Sequence, residues 1–388
     1  MLRFLTAGES HGPSLTAILD GMPAGLPLSA EVINRELARR QRGYGAGGRM
    51  KLEHDEVRIL GGVMAGVTTG APIALLIENA DHVRWRAKAI EPMTRPRPGH
   101  ADLTGIIKYG YRDLRPALER ASARETAARV AVGAICKQLL AQFGIRVGGY
   151  VRAIGPVRAE LGDMPYEERF ARAEASDVRC PDPMAAEAMH AAIQQTIRHK
   201  DTLGGVLEIV ALNVPPGLGS FAQWDRRLEA RLGMAILSVQ AIKGVEIGDA
   251  FENTTLPGTQ AQDPIRLEGR RLVRPSNRAG GIEGGISNGQ PIVIRAAMKP
   301  IATTLTPQTT VDLTGGKETS TAYERSDFCP VPRAVPILEA MTAFVLADAL
   351  LEKVGGDSLE EMRPRFEALR RATLDDLALD GTPYVFWE

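Results

Sequence analysis

Apolar and polar residues recur along the chain with two different periods, and these periods predict its helices and strands. Helical spacing over about 31–42 follows Ser29, a good N-cap residue, and would end at Gly43. Ser122 and Glu125 have capping-box spacing, which predicts a helix that reaches about Gln142. Helical periodicity also covers residues 184–200, 226–242, 334–354 and 358–373. Clusters of β-branched residues predict strands over Ser14–Leu19, Val57–Leu60, Ile73–Glu78, Val206–Leu212 and Pro291–Met298.

Two glycine-rich segments have similar sequences and suggest an internal repeat. Residues 60–73 read LGGVMAGVTTGAPI and residues 279–292 read AGGIEGGISNGQPI, so four glycines and a final Pro-Ile coincide. A weaker similarity joins residues 12–26 to residues 204–218 in the same order. We interpret the pattern as two related units, each a glycine-turned β-unit followed by a helix. Coincidence in a glycine-rich chain is the alternative.

We expect the chain to fold as a single domain over residues 1–388. No polar linker separates the two proposed halves, about 1–150 and 200–355, so they should pack as one body. A helical tail is expected over about 356–388. Hydrophobic residues make up 44% and charged residues 24% of the chain, which is ordinary for a soluble globule.

Charge and cysteine content exclude several classes of protein. Lys+Arg and Asp+Glu are 47 each, so no whole-molecule positive field attracts nucleic acid or an anionic membrane. Cys136, Cys180 and Cys329 are far apart, which excludes a disulfide framework and a CxxC metal site. The chain begins without a signal-peptide pattern and has no apolar run of roughly 18 residues, so no transmembrane helix is expected. These features predict a protein of the reducing cytoplasm.

Two histidines lie in tight, rigid segments. His11 is enclosed by the pentapeptide GESHG, and His100 follows the proline-rich run RPRPG. An imidazole exchanges protons near neutral pH, and guanidinium groups held by prolines suit an anion. A surface-turn histidine and a solvated basic turn are the respective alternatives. No G-x-S-x-G elbow accompanies Ser10, so a serine nucleophile is not indicated.

Cations gather in further segments of the chain. Six of them lie within residues 35–51, partly on a glycine-rich loop that is neither a Walker A motif nor a Rossmann fingerprint. Residues 120–129 open a helix with three arginines, and residues 299–304 and 325–334 are proline-fixed loops with cations. A mobile basic loop, a well-capped helix and weak RNA binding are the alternatives. Because no metal-ligating spacing occurs, the motifs together predict a metal-free site that binds a polyanionic small molecule and supplies protons.

These segments together closely resemble the chorismate synthase family, from Gly8 to about Gly356. Any one of them alone is weak, but their number makes the resemblance specific. They are GESHG at 8–12, ARRQRGYG at 38–45, RPGHAD at 97–102, KYG at 108–110, RASARETAARVAVGA at 120–134, DTLGG at 201–205, QAIKGVEIGD at 240–249, NRAGGIEGGISNGQPI at 277–292, MKPI at 298–301 and RSDFCPVP at 325–332.

The resemblance implies an activity and a fold. Family members are carbon–oxygen lyases that remove phosphate from 5-enolpyruvylshikimate 3-phosphate by an anti-1,4-elimination. The product is chorismate, in the shikimate pathway of aromatic amino-acid biosynthesis. The reaction requires reduced FMN without net redox change. The implied fold is α+β, a β-α-β sandwich of two antiparallel sheets around a helical layer with an internal pseudo-repeat, and the implied assembly is a homotetramer.

The resemblance also implies roles for residues at matching positions. His11 would protonate the leaving phosphate, His100 would supply or hold a proton at the flavin, and Asp327 would help remove the C6 proton. The substrate-binding residues implied are Arg40, Arg49 and Arg129. The residues implied to contact FMN are Arg120, Ala121, Ser122, Gln240, Ala241, Gly284, Lys299, Pro300, Ile301, Ala302, Thr303 and Arg325.

Three positions depart from the family pattern. Ala46 stands where an arginine commonly follows the GYG loop, and we expect Arg42 or Arg49 to compensate. Ala302 replaces a usual serine, which removes one hydroxyl from the expected grip on the FMN phosphate. Arg333 stands in a segment that usually reads C-A-V-P-A-A.

The resemblance leaves the source of electrons open. Because the chain has no Rossmann motif, we expect an external reductant, such as a separate flavin reductase, with NADPH (an NADP-linked donor) only as a possible ultimate source. No nucleic-acid or membrane partner is expected. A non-catalytic anion- or RNA-binding scaffold is the alternative, and the presence of His11, His100 and Asp327 argues against it.

Overall fold

Helices and strands alternate along the chain in this computed structural model, which describes residues 1–46, 54–324 and 326–386. The helices are α1 (Ala30–Gln41), α2 (His82–Trp85), α3 (Asp102–Tyr109), α4 (Arg115–Ala121), α5 (Thr126–Ala141), α6 (Tyr166–Ala175), α7 (Pro183–Arg198), α8 (Leu228–Leu237), α9 (Ala250–Asn253), α10 (Gly258–Ala261), α11 (Val331–Val354) and α12 (Leu359–Glu367). The strands are β1 (Arg3–Ala7), β2 (Ser14–Asp20), β3 (Val57–Gly61), β4 (Val63–Met64), β5 (Val67–Thr68), β6 (Ile73–Glu78), β7 (Arg146–Ile154), β8 (Val157–Arg158), β9 (Gly205–Leu212), β10 (Ile242–Ile247), β11 (Arg266–Glu268), β12 (Arg271–Val273), β13 (Ile282–Glu283), β14 (Ile286–Ser287), β15 (Ile292–Met298), β16 (Thr309–Asp312) and β17 (Lys317–Ser320).

The strands form two larger antiparallel sheets and several small hairpins. The first sheet has the strand order β1-β2-β6-β3, and the second has the order β10-β15-β9-β7-β8. All five strands predicted from the sequence belong to these two sheets. The fold is therefore a mixture of helices with several antiparallel sheets, in agreement with the α+β expectation.

Two apolar helices form much of the core, and they pack against the two larger sheets. Helices α5 and α11 pack against each other along their lengths. Helix α5 also contacts β2 and β6 of the first sheet, whereas α11 contacts β7 and β9 of the second. Nearly every residue of α11 is buried, and its apolar residues are spread over all sides of the helix, so α11 is not amphipathic.

Helix α11 is also the one helix, within the described residues, that is long and apolar enough to cross a membrane. However, 89% of its most apolar stretch is buried inside the protein. A buried core helix meets the same criterion as a membrane span, so this feature is weak evidence for a membrane.

Gly133 allows α5 and α11 to approach closely. A Cβ atom added at Gly133 would lie 2.2 Å from the Cβ of Ala340 on α11. Helix propensity alone predicts that Gly133→Ala stabilises α5 by about 1 kcal/mol. We expect the clash to dominate, so that the variant is destabilised by about 1–3 kcal/mol, as measured by urea denaturation.

The control for this prediction is Gly233→Ala in α8. A Cβ atom at Gly233 would meet no atom within 4 Å, so the helix propensity gain should appear there as increased stability. Equal stabilisation of both variants would contradict the tight packing at Gly133.

The two segments of similar sequence adopt the same local structure. They form the hairpins β4–β5 and β13–β14, which begin 219 residues apart. Thr68 Oγ1 donates a hydrogen bond to the Pro23 carbonyl (2.6 Å), and Ser287 Oγ donates one to the Pro215 carbonyl (2.7 Å). Each hydroxyl also accepts a bond from a backbone N–H three residues beyond that proline.

Several predicted boundaries differ from the structure. The predicted helix over 226–242 is α8, and it ends at Leu237 because the chain then turns into strand β10. The predicted helix over 358–373 is α12, which ends at Glu367. After it, only a short 3₁₀ turn at Leu374–Asp376 is helical among the residues described up to 386.

Candidate active site

A cavity of about 780 Å³ is lined by residues from widely separated parts of the chain. Its wall includes Ser10 and His11, which follow β1, and Arg333 in the first turn of α11. Further lining residues come from helix α2, from the end of α4, and from the loops before α3 and after β15. This volume lies within the range of about 300–1,000 Å³ that is usual for small-molecule sites.

Most of the residues predicted for the site meet at this cavity. They come from segments that the sequence analysis had treated as separate motifs. The predicted residues that line the cavity are His11, Arg40, His100, Ala121, Ser122, Gln240, Ala241, Lys299, Ile301, Ala302, Thr303 and Asp327.

Four other predicted residues do not belong to the described lining of this cavity. They are Arg120, Arg129, Gly284 and Pro300. Arg120 and Arg129 line an adjoining cavity of about 400 Å³, which shares Gln240 with the first. Gly284 lies in the hairpin β13–β14. The predictions for Arg49 and Arg325 lie outside the described residues.

The cavity carries a large excess of positive charge although the whole chain is neutral. Its described lining contains seven Arg or Lys residues and three Asp or Glu residues, in addition to two histidines. Like charges placed close together in a concave, partly dry site strengthen the field that attracts an opposite charge. The arrangement therefore favours a ligand with several negative charges.

His11 is held by Glu119 of helix α4. The Nδ1 atom of His11 lies 2.8 Å from Glu119 Oε1, and the His11 backbone N–H donates to Glu119 Oε2 at 2.8 Å. Burial by itself raises the pKa of Glu119, but these hydrogen bonds from His11 outweigh burial and lower it. The Trp85 ring lies beside the imidazole, with 4.4 Å between centroids. His11 is thus fixed in orientation at the cavity wall.

His100 belongs to a hydrogen-bonded cluster with Arg97 and Asp102. His100 Nδ1 lies 2.6 Å from Asp102 Oδ1, and Arg97 donates to both oxygens of the same carboxylate at 2.8 and 3.0 Å. Arg97 Nη1 also donates to Thr303 Oγ1 at 3.1 Å. Asp102 is fully buried, and although burial raises its pKa, the bonds from His100 and Arg97 bring that pKa well below its usual range. The cluster joins two loops that lie about 200 residues apart in sequence.

Asp327 is paired with Arg333, and this pair connects to Arg40. Arg333 Nη1 donates to Asp327 Oδ2, and Arg333 Nε donates to the Arg40 carbonyl at 3.3 Å. Arg40 is buried and donates to Thr126 Oγ1 at 3.0 Å. Burial, with the nearby charge of Arg333, lowers the pKa of Arg40 to about 9, so its guanidinium stays protonated at neutral pH.

Arg124 is a second buried cation of the cavity. Its Nη1 atom donates to Asp55 Oδ1 at 2.6 Å, and its Nε atom donates to Asn79 Oδ1 at 2.8 Å. Asp55 also lies 3.5 Å from Arg40 Nη1. One buried carboxylate therefore links two buried guanidinium groups.

Arg129 is engaged away from this cavity. Its Nε atom donates to Glu125 at 2.8 Å, and its Nη1 atom donates to Ser238 Oγ at 2.7 Å.

Arg42, which was expected to compensate for Ala46, is 69% exposed and lies 3.8 Å from Glu174. Arg333, for which no role was predicted, is one of the cations that line the cavity.

The sequence analysis did not assign several residues that the structure places at the site. Arg97 belongs to the proline-held guanidinium groups expected to suit an anion, but neither Arg97 nor Asp102 was assigned as a site residue. Arg124 was visible as one of three arginines near the start of a helix. Glu119 carried no sequence signal, because its contact with His11 spans 108 residues.

Comparisons with known proteins agree over almost the whole chain. The family model described as chorismate synthase matches residues 2–351. A chorismate synthase of Aquifex aeolicus is 55% identical over 384 residues, which cover 94% of this chain and 96% of the relative. One of Geobacter sulfurreducens is 52% identical over 385 residues and covers 95% of this chain and 98% of the relative. A crystal structure of chorismate synthase has a TM-score of 0.78 and 49% identity, covering 94% of this chain and 96% of that one.

The fold and the cation-rich cavity with its two histidines are typical of the class of enzymes that act on small anionic molecules. The similarity in sequence and fold then narrows this class. The chain belongs to the chorismate synthase family, whose members are lyases of the shikimate pathway.

Proposed function

We propose that the cavity of this chain binds 5-enolpyruvylshikimate 3-phosphate and eliminates its phosphate to give chorismate. One observation carries the proposal: His11, His100 and Asp327 line the same cation-rich cavity although 89 or more residues separate them in sequence. The substrate carries two carboxylates and a phosphate, so its charge matches the excess of Arg and Lys. Family membership supports the same reaction.

The acid–base work is divided among the three residues. His11 gives a proton to the departing phosphate, His100 holds a proton at the cofactor, and Asp327 assists removal of the C6 proton. Each side chain has a partner that orients it: Glu119 for His11, Asp102 for His100 and Arg333 for Asp327. Orientation of this kind lowers the entropic cost of reaching the reactive geometry.

The buried arginines of the cavity would bind the anionic groups of the substrate. We propose Arg40 for this role together with Arg97, Arg124 and Arg333, because all four line the cavity. Arg129 remains a proposal with weaker support, since both of its side-chain partners lie outside the cavity lining.

The residues present fit FMN as the cofactor. Gln240 Oε1 is a buried acceptor without a hydrogen-bond partner among the described residues, and it would suit the N3–H donor of a flavin ring. Lys299, Ser122 and Thr303 supply cationic and hydroxyl donors for a phosphate. Reduced FMN held by these residues would supply electron density for the elimination.

The adjoining cavity extends this cofactor proposal. Arg120 lies there and donates to the Thr6 carbonyl at 2.9 Å, so it belongs to the wall next to Gln240. Ala121, Ala241 and Ile301–Ala302 complete the proposed contact surface. Pro300 and Gly284 have no support from the described cavity lining.

We also propose the finer architecture that the resemblance implied. The contacts of α5 with the first sheet and of α11 with the second support two sheets around a helical layer. The matching hydrogen bonds of Thr68 and Ser287 support a pseudo-repeat within one domain. Homotetrameric assembly, a cytoplasmic location and reduction of the flavin by a separate reductase complete the proposal.

Anaerobic incubation with dithionite-reduced FMN and 5-enolpyruvylshikimate 3-phosphate tests the function. We expect chorismate and inorganic phosphate to appear in equal amounts. The alternative, a non-catalytic anion-binding scaffold, predicts that the substrate binds but that no phosphate is released. The same assay with NADPH and oxidised FMN tests the expected need for an external reductant, and steady chorismate formation there would contradict it.

A further inference from the structure

Glu119 uses both of its carboxylate oxygens on a single residue, His11. One oxygen lies 2.8 Å from the imidazole Nδ1 atom, and the other accepts the His11 backbone N–H at 2.8 Å. The side chain of Glu119 is only 11% exposed, so water competes little for these oxygens. This is a two-point contact between helix α4 and the turn that carries His11.

The backbone around Glu119 strengthens the same contact. The Ser10 N–H donates to the Glu119 carbonyl at 3.2 Å, which ties the turn to α4 by a third bond. Arg115, one helical turn earlier, lies 4.0 Å from Glu119 Oε1. The guanidinium helps to keep the carboxylate ionised, so that Glu119 acts as an acceptor only.

The imidazole ring is also restrained from its face. Trp85 packs beside His11 at a tilt of 46°, and Arg115 lies 5.9 Å from the centre of the Trp85 ring. His82 Nδ1 lies 3.0 Å from the His11 carbonyl. The ring therefore has little freedom to exchange the positions of its two nitrogens.

We propose that Glu119 is a positioning residue that keeps a proton on Nδ1 of His11 and so assigns proton donation to Nε2. This inference rests on the proposed role of His11 as the acid. In the step, the Nε2–H bond breaks and the proton passes to the phosphate oxygen whose bond to carbon is breaking. The neutral imidazole that remains keeps its Nδ1 proton, which Glu119 accepts as a hydrogen bond.

Glu119→Gln provides the main test. The glutamine amide has one acceptor and one donor group, so it cannot accept from both the ring and the backbone N–H of His11. We expect kcat to fall about 10- to 100-fold, as when orienting partners of functional histidines are removed, with KM changed much less. Glu119→Asp, which keeps the charge but is shorter, should give a smaller loss.

The tautomer of His11 is a readout that does not depend on activity. Long-range ¹H–¹⁵N spectra of protein labelled with ¹⁵N-histidine distinguish Nδ1–H from Nε2–H, and the signal lost in His11→Ala identifies the residue. We expect neutral His11 to carry its proton on Nδ1 in the parent protein and to become a mixture of tautomers in Glu119→Gln. Glu9→Gln is the control, because Glu9 is an exposed carboxylate in the same pentapeptide.

The outcomes separate this inference from the proposed function. An unchanged Nδ1–H tautomer in Glu119→Gln overturns the inference, whatever its activity. A parent protein with the proton on Nε2 does the same. If His11→Ala retains full turnover, the acid role of His11 fails, and the spectra still decide whether Glu119 sets the tautomer.

Discussion

Replacing His11 with alanine is expected to lower kcat by about 100- to 10,000-fold, the range for loss of a general acid. The leaving phosphate must gain a proton, and His11 is a cavity imidazole that an ionised carboxylate holds in place. FMN affinity should change little, because Gln240, Lys299 and Thr303 are unaffected.

This prediction is checked by anaerobic steady-state kinetics and by flavin titration of the same sample. His199→Ala is the matched control, since His199 is exposed and its imidazole is not part of the cavity lining. Turnover of His11→Ala within a factor of two of the control would remove His11 from the mechanism.

Replacing Glu339 with alanine is expected to destabilise the fold by about 3–5 kcal/mol. Glu339 is fully buried in α11, and it pairs with Arg39 of α1 at 2.7 and 3.1 Å and with Lys137 of α5. Removing the carboxylate takes away the buried one of the two acidic side chains that both cations share at the junction of three core helices. Glu36 compensates only in part, because it is a single carboxylate that already contacts both cations.

Urea denaturation of Glu339→Ala measures this loss. The control variant is Glu367→Ala, because Glu367 is an exposed residue of α12.

The pH dependence of stability provides a second check. Burial alone would raise the pKa of Glu339, but Lys137 and Arg39 outweigh it and lower the pKa to about 2. A depressed pKa stabilises the folded state above the unfolded value of 4.5 and loses that effect as pH falls toward 2. The difference between parent and variant should therefore shrink below pH 4.5; a constant difference would contradict the ion pairing.

The sequence predicted the strands that have a regular β-branched pattern and missed those that do not. Strand β9, GVLEIVAL, was predicted almost to the residue. Strand β7, RVGGYVRAI, was missed because two glycines interrupt its pattern, yet it pairs with β9 in the second sheet. Strand β10, IKGVEI, was not predicted, and the helix predicted over 226–242 overlaps only its first residue, Ile242.

The site was predictable where one segment carries its own chemistry, and not where distant segments meet. His11 and His100 stood out in short motifs, Asp327 was assigned through the family resemblance, and all three line the cavity. The hydrogen-bond partners of the two histidines differ in their distance along the sequence. Asp102 is two residues from His100, whereas Glu119 is 108 residues from His11. Side-chain exposure and direction, which separate Arg124 from Arg129, depend on packing and cannot be read from arginine spacing.

The hydrogen bond between Arg97 and Thr303 joins an early segment of the chain to a late one, so the cavity can form only late in protein synthesis. When the first 300 residues have been synthesised, the nascent chain contains His11, His100 and the first sheet. It does not yet contain Thr303 or the Asp327–Arg333 pair. The longest core helix, α11, begins only at Val331 and is therefore also synthesised late. Nascent chains therefore expose the apolar face of α5 until α11 emerges, and they gain a ligand only after most of the chain has been translated. Ligand binding can thus stabilise the finished protein but cannot assist the early stages of its folding.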